Sequence, residues 1–150
     1  MAETRAPYVV VCGSGQATTE EVAWAEEVGR LIADAGAVLV CGGLGGVMDA
    51  AARGCEAGGG LSIGILPGEH RDPASPHLTV SIPTGLGEAR NALVVRAADA
   101  VIAIGGEFGT LSEIALALKA GKRVVGLDSW EIDGVEPAGS AEQAVAAALA

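Results

Sequence analysis

Six stretches of this chain read as strands, most of them apolar runs rich in β-branched residues that stop at glycine or a polar turn. They are PYVVVCG (7–13), AVLVCGG (37–43), LSIGILPG (61–68), LTVSIPTG (78–85), AVIAIGG (100–106) and KRVVGLDS (122–129). A strand with one wet face alternates apolar and polar residues, whereas a continuous run suits a strand covered on both faces. Helical spacing fills most of the gaps. In TTEEVAWAEEVGRLIADAG (18–36), Val22, Ala25, Val28, Leu31 and Ile32 share a face, Thr18 with Glu21 forms a capping box and Gly36 supplies a stop. Residues 44–59, 86–99 and 110–121 read as further helices, and 140–150 as a short amphipathic one after the turn-rich DGVEPAG. EHRDPASPH (69–77) reads as a loop and residues 1–6 as a loose tail. The pattern predicts an α/β, Rossmann-like domain over residues 1–150, with a mostly parallel sheet of about six strands and helices on both faces.

In such sheets ligands bind beyond the carboxyl ends of the strands. The glycines gather there, at Gly13-Ser14-Gly15, Gly42-Gly43, Pro67-Gly68 and Gly105-Gly106. Glycine is 23 of 150 residues, about twice the ordinary share. Aromatics are only 3% against 50% hydrophobic residues, so the core must be aliphatic. The net charge of −10, from nine Lys and Arg against nineteen Asp and Glu, argues against a nucleic-acid backbone as partner. It leaves room for a local cationic pocket for one small anion. Cys12, Cys41 and Cys55 have no C-x-x-C spacing and fit reduced, buried thiols. YVVVC is too short for a signal-peptide core, and no apolar run is long enough for a bilayer. A cytoplasmic protein without a membrane partner is expected.

The glycine loops do not match the common phosphate motifs. Thr18 occupies the place of the third glycine of G-x-G-x-x-G, no acidic residue follows the strand ending at Gly42-Gly43, and the G-x-x-x-x-G-K-[ST] loop is absent. His70 and His77, near Glu69 and Asp72, read as a solvated loop. No metal and no resident cofactor is expected. What the loops do fit is a helix N-terminus, with its free N–H groups and partial positive charge, approached closely through glycine. Gly105-Gly106-Glu107-Phe108-Gly109-Thr110 has that form, with Gly13, Ser14 and Gly42 to Gly46 as neighbouring walls. Thr110-Leu111-Ser112-Glu113 matches a capping box, so Glu113 has two readings, a helix cap or a group facing a ligand. In a first turn its pKa is expected to fall, which suits an acceptor for ribose hydroxyls, or a fixed negative charge, better than a general base. Arg90 and Asn91 enter the helix 86–99, where Arg90 is either a surface residue or a ligand contact; Arg96, six residues on, points elsewhere.

CGGLGGVMDAAARG and EARNALVVRAADAVIAIGGEFGTLSEIALALKAGKRVVGL resemble the LOG-like family, once labelled lysine decarboxylase-like and related to molybdenum cofactor carrier proteins. The resemblance runs from Val9 to about Leu127. It implies a Rossmann-like fold, a homodimer, and hydrolysis of the N-glycosidic bond of nucleoside 5′-monophosphates to free base and ribose 5-phosphate. It further implies that Arg90 and Glu113 hold the catalytic positions and that Gly106, Gly109 and Thr110 hold the phosphate. The enzymes of the family generally have proline before the double glycine and lysine after the key arginine. Here Ile104 and Asn91 stand in those places, a pattern similar to the branch of cofactor carriers. The main expectation is therefore a phosphoribohydrolase, and the alternative a non-catalytic carrier of a nucleotide or phosphorylated, molybdenum cofactor-like compound. The helix 110–121 is apolar nearly all round, which also points to a homodimer.

Overall fold

The computed structural model describes residues 5–150, so residues 1–4 of the expected tail lie outside the described residues. Seven strands, β1 (Tyr8–Gly13), β2 (Val38–Cys41), β3 (Leu61–Leu66), β4 (Val80–Pro83), β5 (Ala100–Ile104), β6 (Arg123–Leu127) and β7 (Val135–Ala138), form one sheet in the order β4-β3-β2-β1-β5-β6-β7. Every neighbouring pair is parallel. The helices are α1 (Thr19–Asp34), α2 (Val47–Ala57), α3 (Arg90–Ala97), α4 (Phe108–Lys119) and α5 (Ala141–Leu149). A single 3₁₀ turn, Gly87–Ala89, precedes α3, so the helix expected from residue 86 becomes regular only at Arg90. The sheet has one strand more than expected. β7 lies in the stretch read as turn, and as an edge strand it tolerates Glu136 and Pro137.

The continuous apolar runs have a direct cause. Val9, Val11, Ile102 and Ile104 pack under α1, α2 and α5. Their neighbours Val10, Cys12, Val101 and Ala103 pack under α3 and α4. Each central strand thus buries both of its side-chain rows. No aromatic side chain is among the buried core residues. No helix among the described residues is long and apolar enough to cross a membrane.

The chain walks outward from β1 to β4, then returns to lay β5 on the other side of β1. The direction of winding therefore reverses between β1 and β5, where Gly13 is in register with Ile104. Such a reversal opens a crevice at the carboxyl ends of the two strands. The loop that joins β3 to β4 is tied to α2: Ser75 Oγ donates to Asp49 Oδ1 at 2.6 Å, and His77 Nδ1 lies 2.6 Å from Glu56 Oε2. His77 thus pairs with a helix rather than with Glu69 or Asp72.

α1 and α2 approach closely at two glycines. A Cβ on Gly29 would lie 2.0 Å from the Ala51 carbonyl oxygen, and one on Gly54 would lie 1.9 Å from that of Glu26. Alanine in a helix interior ordinarily stabilises by about 1 kcal/mol relative to glycine. Here the obstacle on each side is backbone, which cannot swing aside, so overpacking dominates. Gly29→Ala and Gly54→Ala are each expected to destabilise the fold by about 1–3 kcal/mol, read as a lowered urea midpoint at unchanged slope.

Candidate functional site

A cavity of about 540 Å³ opens at the carboxyl ends of β1 and β5. Gly13 and Ser14 form one wall, Arg90 and Asn91 at the start of α3 another, and Gly109, Thr110 and Glu113 of α4 a third. These predicted residues come together. Four others do not line the cavity. Gly42 lies behind it, its carbonyl accepting from Arg90 Nη2 at 3.5 Å, and a Cβ there would sit 2.7 Å from that nitrogen. Gly43 packs against Leu66. Gly105 faces Glu21 of α1, and its carbonyl accepts from Ser129 Oγ at 2.6 Å. Gly106 takes a φ of 102° beside Thr110, so the turn into α4 needs its backbone freedom.

α4 begins at Phe108 with Glu107 as its N-cap, and no side chain caps it. The capping box expected from Thr110 and Glu113 is therefore absent. Thr110 is already in the helix, and Glu113 sits in the second turn, facing inward. The first amide to find a helical acceptor is that of Leu111, on the Glu107 carbonyl at 2.9 Å. The amides of Phe108, Gly109 and Thr110 are left for something else. α2 is also uncapped by any side chain: Val47 N–H donates to the Ser14 carbonyl at 3.0 Å, and Met48, the next residue, lines the cavity. α1 and α5, in contrast, are closed by Thr18 with Glu21 and by Ser140.

Arg90 is buried, contrary to its surface reading. Its Nη1 donates to Asn91 Oδ1, and Asn91 Nδ2 donates to Ser112 Oγ at 3.0 Å. Ser112 Oγ in turn donates to the Gly109 carbonyl at 2.9 Å. One hydrogen-bonded chain thus runs from the guanidinium to the first turn of α4. Arg90 Nε is fully buried without a partner among the described residues. A buried charged group with an unmet donor is uncommon and calls for an acceptor.

Glu113 is 8% exposed, and its pKa is pushed up to about 7 by burial, with the Arg90 charge opposing the rise. The direction is the reverse of the expected one. The second turn receives little of the helix dipole, and desolvation wins. Cys12 and Cys41, at the ends of the adjoining strands, are raised by burial, Cys41 to about 12, so both are unreactive thiols near neutrality.

The cavity also draws on residues that spacing did not single out. Ser112 joins it because it stands three positions after Gly109 on α4, a relation fixed by helix phase. Glu88 lines it as well, as do Glu107 and Phe108 of the glycine loop already read from the sequence.

Comparison with known proteins gives a consistent picture. The model of the SLOG cluster4 family matches residues 6–148. An uncharacterized protein from Archaeoglobus fulgidus is 48% identical over 117 residues, 78% of this chain and 77% of that protein. The molybdenum cofactor binding protein from the phototrophic bacterium Rippkaea orientalis has a similar structure, with TM-score 0.92 and 39% identity over 97% of this chain and 96% of that one. The molybdenum cofactor carrier protein from Chlamydomonas reinhardtii gives 0.88 and 35% over 95% and 96%.

The raised pKa of Glu113 has a consequence for stability. The folded state holds this proton more tightly than the unfolded chain does. Its contribution is complete below the ordinary value of 4.5 and is lost as pH rises to about 7. Glu113→Gln, a neutral isostere, is expected to match wild type near pH 4 and to exceed it by about 2–3 kcal/mol at pH 8. Urea midpoints of the two proteins against pH provide the check.

Proposed function

The chain belongs to the SLOG cluster4 family, and from that premise we propose that it binds and carries a small phosphorylated cofactor of the molybdenum cofactor class. The observation that carries this reading is the pairing of three unsatisfied amides on α4 with the buried, incompletely partnered guanidinium of Arg90 across one cavity. Both groups are donors, and a phosphate is the acceptor that suits both at once. The similarity to two proteins that bind or carry the molybdenum cofactor supports the same reading. Among the described residues the cavity lining contains no cysteine or histidine. The protein would therefore hold its cargo by the organic phosphate rather than by the metal. Gly109 and Thr110 would receive the phosphate, Arg90 would bridge it, and Asn91 with Ser112 would keep Arg90 aimed.

A second reading, hydrolysis of nucleoside 5′-monophosphates, draws on one observation: Glu113 is a buried carboxyl near Arg90 that titrates near neutrality. Against it, Asn91 stands where the enzymes the chain resembles have lysine, and its amide is committed to Arg90 and Ser112. Protein purified from cells that make the molybdenum cofactor should carry pterin and phosphate in near-equal amounts, measured by oxidation to a fluorescent pterin. Arg90→Ala should lower the pterin content about tenfold or more. Free base released from a panel of nucleoside 5′-monophosphates, and lost in Glu113→Gln, would instead establish the hydrolase.

The same reading includes a homodimer. Leu93 of α3 and Leu116 of α4 are 43% and 37% exposed. Val80 and Ile82 of the edge strand β4, in register with Ile63 and Ile65, extend the same face. An apolar surface of this kind suits burial against a second copy. Light scattering at micromolar concentration should give twice the chain mass, and Leu93→Asp with Ile82→Asp should shift the protein to monomer.

A further inference from the structure

The chain has two tryptophans, one tyrosine and one phenylalanine. Its buried core uses none of them. Two of the four nevertheless meet beside the cavity: the rings of Phe108, which lines it, and Trp130, which does not, stack with centroids 6.1 Å apart and planes inclined by 30°. Phe108 lines the cavity and is 79% exposed, well beyond any other large apolar residue of the described chain. Core packing does not account for its ring. Trp130 is held in place from behind, its Nε1–H donating to the Glu107 carbonyl at 3.2 Å. The phenyl ring thus has one aromatic neighbour and is otherwise open.

Phe108 is the first residue of α4, directly before Gly109 and Thr110, which line the same cavity. A ligand anchored there by phosphate carries its remaining atoms within reach of the open ring face. The cavity volume, about 540 Å³, suits a compound of nucleotide size. A fixed aromatic plane beside a phosphate site favours a flat, electron-poor heterocycle, through stacking that no aliphatic side chain reproduces.

We infer that Phe108, braced by Trp130, is the stacking platform for a planar heteroaromatic ring carried by the phosphorylated ligand, the structural class that includes purine nucleotides and pterin phosphates. The inference rests on the phosphate site proposed above, and its test separates the two. Affinities of guanosine 5′-monophosphate and ribose 5-phosphate are measured by calorimetry on wild type, Phe108→Ala and Phe108→Tyr. Wild type is expected to prefer the ringed probe about tenfold or more, the affinity equivalent of ~1.4 kcal/mol. Phe108→Ala is expected to abolish that preference while ribose 5-phosphate affinity stays within about twofold, and Phe108→Tyr to retain it. Ribose 5-phosphate binding with no ring preference in wild type, or a preference that survives Phe108→Ala, overturns the platform and leaves the phosphate site standing. A surviving preference together with a changed oligomeric state would assign the exposed ring to a subunit contact instead. Failure of both probes to bind wild type removes the phosphate reading and the platform with it.

Discussion

The structure depends on a sheet whose strands are all parallel and whose central members are covered on both faces. Parallel strands can only be joined by crossovers, so every strand ends at the same edge and the helices that follow begin there. Helix beginnings carry unsatisfied N–H groups, and a fold of this kind concentrates them whether or not a ligand is present. What distinguishes one helix from another is capping. Thr18 with Glu21 closes α1, and Ser140 closes α5. α2, α3 and α4 are left without a side-chain cap, and all three begin at the same cavity. The location of the site follows from that difference.

An acidic chain can still present a positive pocket if its cation is not neutralised nearby. Arg90 is held by neutral acceptors, the Asn91 side-chain oxygen and the Gly42 carbonyl. Glu113, the buried acid facing it, takes up a proton near neutrality because burial penalises its charged form. The buried part of the cavity is thus governed by a guanidinium and helix ends, while Glu88 and Glu107, which also line it, are exposed at its mouth, where solvent screens their charge.

Much of this was legible in the sequence. The central apolar runs became strands because double-sided burial demands continuous hydrophobicity, and Thr18 with Glu21 closes its helix as the spacing implied. The strand at Val135–Ala138 was hidden because an edge position relaxes the requirement for apolar residues and permits proline. Glu113 was placed in the wrong turn for a similar reason. Thr-x-x-Glu fits a cap, but it fits a helix interior equally well, and only the backbone at Gly106 and Glu107 shows that α4 starts at Phe108. That shift of one turn reverses the direction of the Glu113 pKa. The glycine loops pointed to the edge of the sheet at which the cavity lies. Gly13 and Gly109 reach the cavity, whereas Gly42, Gly43, Gly105 and Gly106 serve close packing and turn geometry around it.

The hydrogen bond from Trp130 to the Glu107 carbonyl has an optical side. Indole emission responds to the polarity and hydrogen bonding of its surroundings, and this indole is bonded to the residue that opens α4 and stacked on a ring at the cavity rim. The other tryptophan, Trp24, is packed on the opposite face of the sheet with α1. Rim and scaffold therefore each carry one intrinsic chromophore, one coupled to the cavity and the other to the body of the fold. The protein contains its own signal and its own reference, with no label required to follow what enters.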